Sequence, residues 1–136
     1  MFLSLCFAVQ AKTYGNVTVS RVVSVYDGDT IMVDIDEYPP ILGQNISVRI
    51  FGIDTPEIKS KNPKETERAK QVKDYVQDLL KNAKVVELRN IQKDKYFRIL
   101  AEVYVDGQSI ADLLIKKGYA VPYDGGTKQD WGKLLK

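Results

Sequence analysis

The sequence contains no histidine and only one cysteine. Without an imidazole, the chain cannot form a Ser–His or Cys–His catalytic pair, a zinc site built on histidine, or a ribonuclease site with histidine as acid and base. A single thiol excludes a disulfide within the chain and any metal site that needs several thiolates. Chemistry in this chain must therefore use carboxylates, hydroxyls, Lys, Arg and Tyr, together with a hard metal ion where one is bound.

The chain also lacks a strong excess of one charge. Its 136 residues include 20 Lys and Arg against 18 Asp and Glu, a net charge of +2. Affinity for nucleic acid would therefore have to come from locally placed Lys and Arg rather than from bulk charge. A hydrophobic content of 44% and a charged content of 28% are typical of a folded globular protein, and the length suits one domain with one core.

No apolar run is long enough to span a bilayer as a helix. The segment Met1–Ala11 is apolar and ends in a small residue, so it resembles the hydrophobic region and cleavage site of a secretory signal, although the basic segment that usually precedes this region is missing. A first β-strand or an apolar tail is the alternative. We expect a signal remnant over residues 1–11, a folded domain over 16–136, and a secreted or periplasmic protein without a membrane span.

Short alternating segments dominate the remaining sequence. They predict strands over residues 17–27, 31–35, 46–51, 85–88 and 98–105. The Asp-Gly pairs at 27–28 and 106–107 are typical of hairpin turns, and the proline-containing segment 38–43 predicts a loop.

Helix signals interrupt the strands in two main places. Asn62 can cap a helix, Pro63 suits its first position, and Glu65 can complete an exchange like that of a capping box. Helical spacing continues for four or five turns, a second short helix starts at Ser109, and a brief one starts at Trp131. This order predicts an α+β protein with an OB-fold, a five-stranded antiparallel β-barrel with two to three packed helices.

Two acidic segments are candidates for a metal site. Taken alone, the tetrapeptide from Asp27 to Thr30 indicates only a hairpin turn. The segment from Asp54 to Glu57 places two carboxylates after an apolar strand, with a proline that restricts the backbone between them. A Ca²⁺ ion takes about six to eight oxygen ligands from carboxylates, backbone carbonyls and water. Asp29, Asp54 and the Thr55 carbonyl could supply three of them; the alternative is a turn with solvated acids.

Arg49 and Arg98 stand within strand segments and are flanked by apolar residues. A charge at such a position must reach the rim of the sheet or pair with an anion. One interpretation is a partly buried ion pair with Asp or Glu. The other is that the guanidinium groups bind a phosphodiester and stabilise the charge of its transition state.

Taken together and in order, these motifs resemble the staphylococcal nuclease family over roughly residues 17 to 123. The resemblance rests on the family's sequence D-G-D-T, an arginine separated by four apolar residues from D-T-P-E, and D-K-Y-x-R. These motifs correspond to residues 27–30, 49–57 and 94–98.

The resemblance implies an OB-fold nuclease that requires Ca²⁺, cleaves phosphodiester bonds in DNA and RNA, and leaves 3′-phosphates. It also implies a role for each matching position, with Asp27 as a nearby acid that is not a direct ligand. The implied metal ligands are Asp29, Asp54 and Thr55; the implied catalytic residues are Arg49, Glu57 as general base, and Arg98; the implied substrate-binding residues are Lys95, Tyr96 and Tyr123.

Two departures from the family pattern stand out. Phe97 occupies a position where the family often has glycine, and only a few residues follow Trp131 where the family has a longer helix, which puts stability in doubt. Two other functions compete with a nuclease: a nucleic-acid-binding OB module without catalysis, and a protein-interaction domain that binds no Ca²⁺. The complete set of acids and arginines favours the nuclease, for which we expect a monomer with no stable protein partner.

Overall fold

The computed structural model describes residues 12–95 and 97–136. The predicted signal segment over 1–11 and the predicted substrate contact Tyr96 lie outside the described residues. No helix in the described ranges combines the length and the apolar character needed to cross a membrane. The elements are β1 (Val17–Thr18), β2 (Arg21–Asp27), β3 (Thr30–Asp34), α1 (Pro40–Gly43), β4 (Ile46–Ile50), β5 (Ile53–Asp54), α2 (Pro63–Asn82), β6 (Val86–Asp94), β7 (Arg98–Val105), β8 (Gln108–Ser109), α3 (Ile110–Lys116), β9 (Val121–Pro122) and α4 (Trp131–Leu134).

The main sheet curls so that its two ends meet in one bent strand. Its order is β1-β6-β7-β4-β3-β2, and β1 and β2 are separated by only two residues. The amide of Val19 donates to Val86 O at 2.8 Å and that of Ser20 donates to Asp34 O at 2.8 Å, so the strand turns from one partner to the other. With β3, β4, β6 and β7, the bent strand makes the predicted five-stranded arrangement, and the α+β OB-fold is confirmed.

One pair in this sheet runs parallel. β4 pairs with β7 in the register Val48↔Ile99, whereas the other long pairs are antiparallel. Helix α2 and strand β6 lie between β4 and β7 in the sequence. This long connection returns the chain to the end of the sheet at which β4 begins, so β7 can run in the same direction as β4. The prediction of antiparallel pairing is therefore wrong for this pair.

Helix α2 begins as the sequence predicts, with one exception. The Asn62 side chain accepts a hydrogen bond from Lys64 N at 2.9 Å, and Pro63 is the first helical residue. The expected exchange through Glu65 is wrong, because its Oε2 accepts instead from the backbone amide of Glu57, at 3.4 Å. This contact connects the helix start to the second acidic segment.

The segment predicted as a loop over residues 38–43 contains the short helix α1. Pro40 stands at its first position, where a missing amide has no cost. Gly43 ends the helix against the backbone: its carbonyl accepts from Ile35 N at 2.6 Å, and a Cβ there would clash with Ile35 O. The proline therefore starts a helical turn instead of preventing one.

Gly28 lets the first hairpin pack tightly on helix α2. The central residues of this hairpin, Gly28 and Asp29, are not among those with positive φ, so the turn is not the type I′ turn that an Asp-Gly pair suggests. A Cβ at Gly28 would instead clash with Cγ1 of the buried Val72 and approach the Thr55 side chain to 3.0 Å. At the second Asp-Gly pair, Asp106 and Gly107 do have positive φ, of 49° and 82°.

We expect Gly28→Ala to lower the free energy of unfolding by about 1–3 kcal/mol, because the added methyl overpacks a rigid core contact. Urea denaturation followed by circular dichroism would measure this. Gly126→Ala is the control, since the nearest side chain there is the exposed Asp124. Combining Gly28→Ala with Val72→Ala should give a loss smaller than the sum of the two. If Gly28→Ala were as stable as the wild type, the proposed clash of the added methyl with Val72 would be contradicted.

Candidate active site

The first hairpin and strand β5 bring the two acidic segments together. Asp29 is the second residue of the turn between β2 and β3, Asp54 ends β5, and the amide of Thr55 donates to Asp29 Oδ2 at 3.2 Å. Asp27, Asp29 and Asp54 are only 8%, 7% and 2% exposed. The three predicted metal ligands therefore lie in one buried acidic pocket, which we define by Asp27, Asp29, Asp54 and Thr55.

Arg49 is the cation packed against this acidic pocket. Its Nη2 lies 3.3 Å from Asp29 Oδ2 and 4.0 Å from Asp54 Oδ1. The same nitrogen donates to Ile53 O at 2.9 Å, and Nη1 donates to Ile50 O at 2.9 Å. The guanidinium is thus held in one orientation by two carbonyls, and the buried ion pair considered from the sequence is present.

The pocket holds more negative charge than Arg49 can balance. Burial and then the charge of Asp29 raise the pKa of Asp27 to about 8. Burial and then Asp29 also raise the pKa of Asp54, against the opposing hydrogen bond from Trp131. Carboxylates in this state gain from a nearby cation, because a cation restores the favourable environment that burial removed.

The donor set of the pocket suits a hard cation. It offers only oxygen atoms, from carboxylates and the Thr55 backbone, which are the ligands that Ca²⁺ prefers. No group of three or more His, Cys, Asp or Glu side chains within residues 12–95 and 97–136 is arranged to hold a metal by itself. A cation here would therefore rely on the two predicted carboxylates, a carbonyl, and ligands from water or substrate.

A cleft of about 860 Å³ opens beside the acidic pocket. Asp54 and Thr55 are buried next to Asp29 and do not line it. Its volume is within the range of pockets that hold small organic ligands. The site residues on its walls are Asp27, Asp29, Arg49, Glu57, Lys95, Arg98 and Tyr123.

Arg98 approaches the cleft from strand β7, which pairs with the strand β4 that carries Arg49. It is the first residue of β7, and its Nε donates to Asp94 Oδ2 at 2.7 Å. Lys95 is exposed in the turn between β6 and β7. Phe97 is exposed and has a φ of 57°, a conformation that glycine adopts without strain.

Glu57 lies at the mouth of the cleft, where water has access. Its side chain is 52% exposed, and Lys128 Nζ lies 3.2 Å from its Oε1. Its backbone amide is held by Glu65, as described above. Tyr123 also lines the cleft: its amide donates to Gly52 O at 2.8 Å, and the Arg49 guanidinium lies 5.8 Å from its ring centre.

The sequence did not indicate the part that the C-terminal segment plays in this site. β9 pairs with β5 in the register Asp54↔Val121, and the chain then passes over the acidic pocket. Lys128 reaches Glu57, while Gln129 and Trp131 reach Asp54. These contacts join residues more than 70 positions apart, and no local pattern signals them.

The sequence matches a known protein family. The family model described as staphylococcal nuclease homologue matches residues 47–133, so the chain belongs to the staphylococcal nuclease family. It is 36% identical over 101 residues to a thermonuclease of Staphylococcus hyicus (74% of this chain, 56% of the relative) and 36% identical over 127 residues to endonuclease YncB of Bacillus subtilis (86% and 54%). A thermonuclease of Staphylococcus intermedius is 36% identical over 97 residues (71% and 54%). The chain spans about half the length of these curated relatives.

We expect Asp27→Asn to raise the free energy of unfolding by roughly 1–3 kcal/mol at pH 7 in EDTA, because it removes one of three crowded buried carboxyls. The unfolded chain ionises Asp27 near its ordinary pKa of 3.8 and the folded protein only near 8. The folded state is therefore penalised increasingly as the pH rises from 4 to 8, and the gain from Asn should grow over the same interval.

Urea denaturation at pH 5, 6, 7 and 8 would test this. Asp36→Asn is the control, because Asp36 is exposed and its ion pair with Arg21 lowers its pKa, so its removal should not stabilise the protein. If Asp27→Asn does not raise the free energy of unfolding, or raises it equally at every pH, the buried Asp27 carboxyl does not destabilise the folded protein.

Proposed function

We propose that the chain is a calcium-dependent nuclease that hydrolyses phosphodiester bonds in DNA and RNA, as an endo- and exonuclease, and leaves 3′-phosphates. The observation that carries the proposal is the buried pocket of Asp29, Asp54 and Thr55 against a fixed Arg49, with Glu57 and Arg98 on the walls of the same cleft. The relatives named thermonuclease and endonuclease support it.

Asp29, Asp54 and the carbonyl of Thr55 would hold the Ca²⁺ ion. Bound there, the ion supplies positive charge that attracts and polarises a phosphate oxygen of the substrate. Arg49 keeps Asp29 in place, since the two groups are 3.3 Å apart in a buried setting. The few protein ligands leave positions for water and for the substrate.

Glu57 would act as the general base. Its exposed carboxylate can take a proton from a water molecule that attacks phosphorus. The bond from phosphorus to the 5′ oxygen then breaks, the 5′ oxygen takes up a proton from solvent and leaves as a hydroxyl, and the phosphate stays on the 3′ side. The ion pair with Lys128 is compatible with this role, because exposed pairs of this kind contribute only up to about 1 kcal/mol.

Arg49 and Arg98 would stabilise the negative charge that the phosphate gains during attack. Arg49 is already fixed by the carbonyls of Ile50 and Ile53, so little reorganisation is needed when charge develops. Asp94 restrains Arg98 through Nε. Two fixed guanidinium groups on one cleft are suited to a tetrahedral anion.

Substrate binding would involve the rim of the cleft. Lys95 offers a charge to a neighbouring phosphate, and the Tyr123 ring offers a flat surface to a base. Tyr96 is proposed from the family pattern alone. We further propose that the protein acts as a monomer and is secreted or periplasmic, the location resting on the character of residues 1–11.

We expect EGTA to abolish cleavage of single-stranded DNA and RNA, and excess Ca²⁺ to restore it, because the acidic pocket needs the cation to bind phosphate. A gel assay with 3′-end analysis of the products would measure this. Binding of the same DNA is followed in parallel by fluorescence anisotropy. Full activity in EGTA would refute the metal site, and binding without cleavage in Ca²⁺ would favour the non-catalytic OB module.

We expect Arg49→Ala and Arg98→Ala each to lower kcat by about 100-fold or more, comparable with the loss of one preorganised donor to a transition state. Arg89→Ala is the matched control, because Arg89 also forms an ion pair on this sheet, with Glu87, but does not line the cleft. Activity is measured well below each variant's unfolding temperature, since Arg49→Ala also frees two buried carbonyls. If kcat of either variant lies within a few-fold of the wild-type value, that arginine does not stabilise the transition state.

A further inference from the structure

The segment Tyr123–Trp131 forms a strap across the acidic pocket, which we call the C-terminal strap. At its start, Tyr123 N donates to Gly52 O at 2.8 Å. At its end, Trp131 is 2% exposed and begins helix α4. Between these two anchors the strap passes Glu57 and Asp54, through Lys128 and Gln129 respectively.

Two donors of the strap converge on one oxygen of Asp54. The backbone amide of Gln129 and the indole Nε1 of Trp131 each donate to Asp54 Oδ2, both at 3.3 Å. The other oxygen, Oδ1, lies on the side of Arg49, at 4.0 Å from its Nη2. The carboxylate is therefore oriented by the strap, with one oxygen occupied and the other directed into the acidic pocket.

The indole is itself firmly placed. Asp130 caps helix α4 by accepting from Lys133 N at 3.2 Å, and Leu135 N donates to Trp131 O at 2.9 Å. Gly132 lies so close to Asn62 that a Cβ would be 2.7 Å from Asn62 Nδ2. The strap thus ends against the Asn62 side chain at the start of helix α2, and this contact together with the cap of α4 fixes the position of its donors.

We propose that Trp131 is a positioning residue for the cation site, which orients Asp54 through the indole N–H. The inference rests on the proposed function, because it assigns a role toward the same Ca²⁺. Donors behind a ligating carboxylate fix its orientation, and their loss typically weakens metal affinity by roughly 10–100-fold. Trp131 does not line the cleft, so the proposed effect acts through Asp54.

The protein contains a single tryptophan, so its fluorescence reports directly on this contact. We expect Ca²⁺ to change the Trp131 emission along a one-site binding curve, with the same Kd as isothermal titration calorimetry. Asp54→Asn should remove the response. Because the wild-type protein is used, this measurement stands even if substitution of Trp131 impairs folding.

We expect Trp131→Phe, which keeps an aromatic ring but removes the donor, to weaken Ca²⁺ binding by about tenfold in calorimetry. Val103→Ala is the matched control: it also removes buried apolar atoms, from β7, and should lower the unfolding temperature without changing Ca²⁺ affinity. Circular dichroism establishes that both variants are folded.

The outcomes separate the two proposals. If the wild type binds Ca²⁺ but its emission is unchanged at saturation, or if Trp131→Phe binds Ca²⁺ as tightly as the wild type, the positioning role is overturned and the proposed nuclease stands. If the wild type binds no Ca²⁺ in calorimetry, the proposed function fails, and the role of Trp131 fails with it.

Discussion

The contact between Asp29 and Arg49 joins three parts of the chain that are distant in sequence. Asp29 lies in the first hairpin, Arg49 in β4, and the amide of Thr55, which also bonds to Asp29 Oδ2, directly after β5. Charges buried in this way are costly unless each has partners of good geometry. Here the carbonyls of Ile50 and Ile53 satisfy the guanidinium, so the backbone of the β4–β5 segment must keep its position for the pair to survive.

The same arrangement sets a conflict between stability and function. Burial, and then the charge of Asp29, raise the pKa of Asp27 to about 8, so keeping these carboxylates ionised destabilises the folded protein. Tight packing nearby offsets part of this cost, above all the contact of Gly28 with Val72 that only a glycine permits. Because the rigid scaffold holds like charges together, the pocket can attract a cation. Unfavourable arrangements of this kind occur at functional sites, where the rest of the structure compensates for them.

Local patterns predicted most of the fold, because its long strands and helix α2 carry strong periodicity and clear caps. They left alternatives open, or suggested the wrong one, where a residue obeys a tertiary constraint. Alternation along β4 places Arg49 on the face opposite Val48 and Ile50, yet all three are buried, since the acidic pocket covers that second face. The glycine at 28 suggested a turn type, whereas its actual role is set by a helix that begins more than thirty residues later.

The site shows the same division between local and distant information. The two acidic motifs and both arginines could be found in the sequence because each has a recognisable neighbourhood. The strap could not, since its donors reach Asp54 across 75 and 77 positions and depend on the two-residue pairing of β5 with β9. The donor on Gln129 is a backbone amide, which its residue type does not reveal. A lone tryptophan near a chain end usually has only a packing role. Only the position of its indole nitrogen on Asp54 connects Trp131 with the chemistry of the cleft.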